Sequence, residues 1–489
     1  MMVRIRSFGA ARTYIRSRNA WRERTVMRKP VLASLAAICV AIGLTVGPAA
    51  AMSLDDSEIK ALTHLIVRGP TAEKDVAVKM LLERGKPDIV PSLIFAMRYR
   101  RDNQVIPDAV SELIGETVTD WKSGMLWQEA HSELKPHASY RMLKLDIFKK
   151  IDPQFMRFLG GDRSLPENLK IRLEEIAWGG VKVGDLPPLD NPKLISAAEA
   201  DYLLPDDLVF GVSINGDTRA YPLRIMGWHE MFNETIGGVP VALAYCTLCG
   251  AGILFETKVE GRDEPLILAS SGFLYRSNKL MFDRQTDSLW NQFTGEPVSG
   301  PLLNSGITLK IRPVVITSWA KWRTQHPDTK ALSLETGHDR NYDSGFVYRQ
   351  YFNSPNLMFP AIVRNEEQLR RKDYVFGIRE TGAAKAWPLD AFKDEPVIND
   401  AIGGRNLVLI GDPETRTVRA YRRQNYVFER SGRTNHLAGP GGDWAISEAF
   451  LTSPDGEKLP RVPGHISYWF AWDGYLGVDS ELYAVGDRS

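Results

Sequence analysis

Two cysteines separated by two residues, in Tyr245-Cys246-Thr247-Leu248-Cys249-Gly250, carry the chain's most reactive side chains. Thiolates at this spacing can converge from a tight turn, and Gly250 permits the backbone to fold back beneath them. Three chemistries fit the pair: a metal chelate, thiol–disulfide exchange and a structural disulfide. Closed structural zinc takes four ligands and a second Cys pair is absent, so a metal would have to recruit imidazole, carboxylate or thioether. His229 is the first candidate, because only a short connection separates it from the strand leading to Cys246. Met281, Asp283, His326 and His338 are further candidates, and Glu230 fits a general base or a partner to a ligand. Soft thiolates with imidazole suit zinc or copper. No thioredoxin-like βαβ pattern surrounds the pair, which lies between two strand-like runs.

Each candidate also has a structural reading. His229 fits a hydrogen-bonded core histidine, Glu230 a solvated helix carboxylate, and Met281 a core residue. Asp283-Arg284-Gln285 reads as a polar turn between strands, His326-Pro327 as a helix stop, and Gly337-His338-Asp339 as a loop. Trp290, Trp319, Trp322, Trp469 and Trp472 could form a carbohydrate platform, but core packing is the favoured role. The fingerprints of serine hydrolases, P-loop enzymes, HExxH metalloproteases and dinucleotide-binding proteins are absent. An enzyme acting through His229, Glu230 or Asp283 ranks third, behind a metal or redox centre and behind a ligand-binding or scaffold module with a Cys246–Cys249 disulfide.

The elements positioning these residues begin after a leader. Residues 1–30 hold nine Lys/Arg against Glu23 alone, Val31 to Gly47 run without charge, and Pro48-Ala49-Ala50-Ala51 follows. A basic start, an apolar core and an Ala-x-Ala end predict a secretory signal over 1–51, with Met27 as an alternative initiator. An uncleaved anchor is the main rival, since Val31–Ala51 approaches the roughly 20 residues that span a bilayer. The full chain of 489 residues has three cysteines and a formal charge of +1. Removing the leader leaves 52 Lys/Arg against 59 Asp/Glu, a charge of −7, and takes away Cys39. An acidic, exported protein is expected, periplasmic or secreted, without a membrane span once cleaved and without nucleic-acid affinity.

Residues 52–159 have helical periodicity, with Ile59, Leu62, Leu65 and Ile66 on one face and Gly69-Pro70, Gly85 and Pro107 as punctuation. A small HEAT-like stack is expected, offering a surface to a protein partner. Residues 160–205, rich in Gly, Pro and Asp, predict a connector. Beyond them the texture is β-rich: Leu208–Ile214 and Thr218–Tyr221 flank the hairpin signal Asn215-Gly216-Asp217, Leu223–Thr235 reads as a short helix, and Val239–Tyr245 with Gly252–Glu256 as a strand pair. Val209-Phe-Gly211 recurs as Val375-Phe-Gly377, and Asn233–Gly238 as Asn399–Gly404, both at an offset of 166. Across 209–243 that offset gives 12 identities in 35 positions, and Trp319-x-x-Trp322 recurs as Trp469-x-x-Trp472. An α+β protein is therefore expected, with a helical domain before a duplicated, mostly antiparallel body: lobe one over 206–355 and a degenerate lobe two over 356–489. Opposite His229, Cys246 and Cys249 the second copy has Glu395, Asp412 and Thr415, which confines the reactive side chains to lobe one.

The Tyr-Cys-x-x-Cys-Gly run, with Ala220-Tyr-Pro-Leu223, Trp228-His229-Glu230, Ser271-Gly272, Met281 to Thr286, Ser288-Leu289-Trp290 and His326-Pro327, resembles the bacterial and archaeal domain-of-unknown-function family 3179. The usual signature of that family has Pro where this chain has Thr247. The resemblance covers most of 200–355, with a weaker echo to Gly477, and implies no established activity.

Overall fold

The computed structural model describes residues 53–100, 104–159, 169–364 and 366–484. The expected leader 1–51 lies outside the described residues, as do part of the expected connector and the last five residues. Among the described residues no helix is long and apolar enough to cross a membrane.

Among the described residues, the first helix begins where the sequence caps it. Asp55 accepts from the Glu58 amide while Glu58 reaches back to the Asp55 amide, a reciprocal box that opens Asp56–Arg68. Ile59, Leu62, Thr63 and Ile66 form the buried face of that helix. Thr71–Glu83, Val90–Met97, Val105–Ile114, Trp121–Ala130 and Ser139–Ile151 follow, and Val90–Met97 is buried all round at the centre. The helical region shares its core with a sheet: Phe273, Leu280, Phe282 and Leu289 pack with Ile94, Phe148 and Phe155.

From Ile176 onward the chain is dominated by strands, so the molecule is α+β with antiparallel pairing prevailing. Residues expected as a connector contribute short strands, Ile176–Trp178, Leu189–Asp190 and Leu194–Ser196, to the edges of three sheets. The hairpin expected at Asn215-Gly216 forms between Leu208–Ile214 and Asp217–Pro222. Both turn residues have positive φ, which Asn and Gly tolerate best. The helix expected over Leu223–Thr235 stops at His229. Glu230 takes a left-handed conformation, and Met231–Ile236 then pairs with Val239–Cys246 across Gly237-Gly238. The ladder to the next strand outweighs the local helical tendency.

Pairing at the two repeated segments is the same residue for residue. Val209 faces Pro222 and Gly211 faces Ala220; Val375 faces Pro388 and Gly377 faces Ala386. Each hairpin is flanked antiparallel by the strand leading into a tryptophan helix, Val315–Ser318 before Trp319–Gln325 and His465–Tyr468 before Trp469–Leu476. Each second strand is flanked in parallel, by Lys330–Leu332 and by Ser480–Leu482. Trp290, Trp319, Trp322, Trp469 and Trp472 are all at most 3% exposed, so they pack the core and offer no platform.

Candidate functional site

The strand Val239–Cys246 ends at the pair Cys246–Ala251, where the chain reverses into Ala251–Glu256. The Cys249 amide donates to the Cys246 carbonyl at 3.2 Å, and Gly250 closes the turn at φ +62°. A β-carbon at Gly250 would stand 3.1 Å from the Tyr374 ring, so both conformation and crowding favour glycine. The turn places two free thiols with their sulfurs 2.8 Å apart, Cys246 2% and Cys249 0% exposed.

Polar groups meet the sulfurs on one side. Asn278 Nδ2 donates to Cys249 Sγ at 3.3 Å and to Gln292 Oε1 at 3.0 Å, while Cys249 Sγ faces the Ser277 carbonyl at 3.4 Å. Gln292 in turn donates to the carbonyls of Ala244 and Ala251, which locks this network to the hairpin carrying the cysteines. Burial raises the Cys249 thiol well above its usual range, and the neighbouring Cys246 and the Glu230 charge add to the rise, while the Asn278 hydrogen bond opposes it.

Behind the turn lies a buried ion pair. Lys279 Nζ sits 2.5 Å from Glu230 Oε2, with both side chains under 10% exposed, and Thr247 Oγ donates to Glu230 Oε1 at 3.0 Å. Glu230 is therefore an enclosed partner of the cysteine turn and not the solvated carboxylate of its structural reading.

An apolar cover completes the site. The sulfurs cluster with Tyr351, Leu357, Phe359, Tyr468 and Trp469. Tyr351 donates its hydroxyl to the Leu248 carbonyl at 2.7 Å. Lys372 Nζ donates to the Tyr351 and Ser354 carbonyls and stands 3.4 Å from the Tyr351 ring centre, and burial pulls its pKa down to about 8. From the helical region, Lys122 donates to the Leu357 carbonyl, and Glu129 accepts from the Ile362 amide. The segment 348–362 is thus pinned over the thiols from two sides.

The other candidates stand elsewhere. His229 Nδ1 is 2.9 Å from the Pro187 carbonyl and Nε2 2.6 Å from the Tyr342 hydroxyl. A carbonyl only accepts, so Nδ1 carries the proton and Nε2 receives the hydroxyl's. His338 packs against the His229 ring at 5.2 Å, and burial pulls the His229 pKa down to about 4. Met281 lies in the core with Met231, Phe255 and Trp290. Asp283 accepts from Thr286 and from Trp290 Nε1, closing a turn. His326 lies tilted against Trp322 with ring centres 4.1 Å apart and faces Glu448 at 3.5 Å. The structure therefore joins Cys246, Cys249 and Glu230, and places His229 with His338.

The family model described as "Protein of unknown function (DUF3179)" matches residues 183–478, well over half of the chain. The chain belongs to that family. No curated protein and no solved structure matches it. The DUF3179 region contains the cysteine turn, the Glu230–Lys279 pair and the whole cover from Tyr348 to Phe359. Asn278 and Lys279 are functional neighbours that spacing did not reveal. Their one sequence signal is two polar residues leading directly into the apolar run Leu280-Met281-Phe282. Among the described residues, no three His, Cys, Asp or Glu side chains are grouped to share a metal ion. Two converged thiols, an amide donor and a shielded cover are what this site offers to chemistry.

Proposed function

We propose that Cys246 and Cys249 form a two-electron dithiol/disulfide centre in an exported protein. The contact that carries this reading is the 2.8 Å approach of two unbonded sulfurs, a short displacement from a bond of about 2.05 Å. In the oxidising direction one thiolate attacks a disulfide of a thiol-bearing partner, forming a mixed disulfide and expelling one partner thiolate. The second cysteine attacks the mixed disulfide and releases the other. Two electrons pass to the partner, the two thiol protons go to the expelled thiolates, and a Cys246–Cys249 disulfide remains. Asn278 steadies the Cys249 sulfur while it bears charge, and displacement of the Tyr348–Phe359 cover admits the partner.

Copper is the second reading, because two converged soft thiolates can hold Cu(I) between them without a third ligand. Zinc would need further donors, and His229, the first candidate from the sequence, has both ring nitrogens engaged by Pro187 and Tyr342. The basic leader and the Ala-x-Ala end support a periplasmic or secreted location. The matched hairpin ladders and their identical flanking order support descent of the β-rich body from one duplicated lobe, with the helical, HEAT-like region as a surface for a protein partner.

The test equilibrates the protein, as purified from the exported fraction, in glutathione buffers of graded potential, followed by alkylation, mass measurement and metal analysis. Loss of both thiols together, reversibly and without metal, supports the redox centre. Stoichiometric copper that disappears in Cys246→Ser supports the second reading. A pair that stays disulfide-bonded at every potential overturns both and leaves a scaffold with a structural staple.

A further inference from the structure

A second feature lies apart from the cysteine turn. A cavity of about 330 Å³ opens between the 293–311 segment and the strands Tyr374–Glu380 and His465–Tyr468. This volume sits at the lower end of the range typical of small-molecule sites. On its wall one buried nitrogen lacks a hydrogen-bond partner, and a half-buried guanidinium lacks an ion-pair partner, among the described residues. His465 is 7% exposed, and its Nε2 has no hydrogen-bond partner among the described residues. Arg379 is half-buried and, among the described residues, donates to the Thr294 carbonyl alone, at 2.8 Å. No carboxylate among the described residues forms an ion pair with Arg379: Glu296 is paired with Lys170 at 3.8 Å, and Glu380 with Arg405 and Arg422.

A half-buried guanidinium with only the distant charge of Glu296 near it, beside a buried imidazole nitrogen with no partner among the described residues, favours a ligand that completes both. We propose that this cavity binds a small organic monocarboxylate, with Arg379 holding the carboxylate, His465 hydrogen-bonding to it, and the apolar walls enclosing the carbon body.

Phe293 meets the His465 ring edge-on at 5.1 Å, and Trp472 lies 5.5 Å from it, so the imidazole is fixed by packing before any ligand arrives. Burial keeps that imidazole neutral, with a pKa pulled down to about 3, so one nitrogen can donate while the guanidinium supplies the positive charge. Leu309, Ile311, Val462 and Leu476 give it apolar walls suited to a short hydrocarbon or a ring, and Glu380, which also lines it, is neutralised by Arg405 and Arg422. Gly464 and Gly377 leave no space for larger residues, because a β-carbon at either would overlap Phe376 or Trp472. The inference is independent of the cysteine chemistry.

Calorimetric titration of the full chain with hexanoate and benzoate, against hexanol, benzamide and sulfate, provides the test. At least one carboxylate should bind with millimolar or tighter affinity, and its neutral counterpart at least about tenfold more weakly. Arg379→Gln should weaken the carboxylate by about tenfold or more. Absence of carboxylate binding up to about 10 mM, equal binding of the neutral counterparts, or unaltered affinity in Arg379→Gln overturns the proposal. Sulfate binding as tightly as the carboxylates also overturns it, in favour of an inorganic-anion site. Should Arg379→Gln fail to fold, hydrogen exchange on the unaltered chain decides. Bound hexanoate or benzoate must slow the amides of 377–380 and 464–466, and protection confined to other segments overturns the assignment.

Discussion

The hydroxyl of Thr247 donates to Oε1 of Glu230 at 3.0 Å, which ties the residue between the two cysteines to the carboxylate ending the preceding helix. Glu230 is reached only because the chain reverses there through a left-handed residue, turning its side chain towards Lys279 and the cysteine turn. A proline at this position would have no donor to offer. Thr247 forgoes the stiffness of a proline turn and supplies a hydrogen bond to a buried ion pair.

Thr247→Val, which keeps the shape and removes the hydroxyl, should cost about 1–3 kcal/mol, because Glu230 Oε1 is left without that donor in a buried site. Thr247→Pro loses the same donor but stiffens the turn, so its loss should be smaller than that of Thr247→Val. Urea unfolding of the two variants separates these effects, and equal losses would show that turn stiffness has no part in it.

Breaking the Glu230–Lys279 pair should be more severe. Removing one member leaves the other as an uncompensated buried charge, so Lys279→Met alone should cost about 3–5 kcal/mol. Glu230→Gln combined with Lys279→Met should cost less than the two single changes added together, since no isolated charge remains. Additive losses in a double-mutant cycle would mean that the two side chains do not act as a pair.

The cysteine turn was legible in the sequence because Cys246 and Cys249 fall in one motif between strand-like runs. The Asn215-Gly216 hairpin was legible because its turn residues have few other uses. The fate of His229 was not. It adjoins Glu230 in sequence, yet the left-handed residue after it sends the two side chains to different neighbours, and one faces Pro187 and Tyr342 while the other faces Lys279. Asn278 and Lys279 were hidden for a different reason. Asn278 reaches the Cys249 sulfur and Lys279 reaches Glu230 from a strand further along the chain, and sequence spacing carries no information about which strand edge will be opposed to a turn. Nothing in the composition of 348–362 marks it as a cover, and only its contacts with Leu248, Lys372, Lys122 and Glu129 make it one.

The displaced histidine gives a pH prediction. His229 titrates near 4 when folded and near 6.5 when unfolded, so the unfolded chain binds the additional proton between those values. Its contribution to stability is complete above pH 6.5 and is lost as pH falls towards 4. The slope is up to about 1.4 kcal/mol per pH unit. His465 acts in the same direction down to about 3, so the wild-type slope in this window contains both groups. His229→Gln, which can still donate to Pro187 and accept from Tyr342, should flatten the slope by about one proton between pH 4.5 and 6.5. An unchanged slope would mean that His229 is protonated in the folded protein.

The last prediction concerns the proposed duplication. A β-carbon at Gly211 would overlap the Trp322 ring, and one at Gly377 the Trp472 ring. The two tryptophans are held alike, Trp322 Nε1 donating to Thr329 Oγ at 2.9 Å and Trp472 Nε1 to Ser480 Oγ at 2.7 Å. Neither ring can retreat without giving up that bond and its place in the core. Gly211→Ala and Gly377→Ala should therefore each destabilise the chain at the upper end of about 1–3 kcal/mol, the range expected for overpacking. If the lobes descend from one ancestor and retain its packing, the two losses should agree within about 1 kcal/mol. Cysteine reactivity should still respond to only one of them. Trp472 packs in the apolar cluster that holds Cys246 and Cys249, whereas Trp322 packs with Val209, Ala220 and Val315. Alkylation of the thiols under native conditions should accelerate in Gly377→Ala and remain at the wild-type rate in Gly211→Ala, and equal acceleration in both would show that the lobes open together.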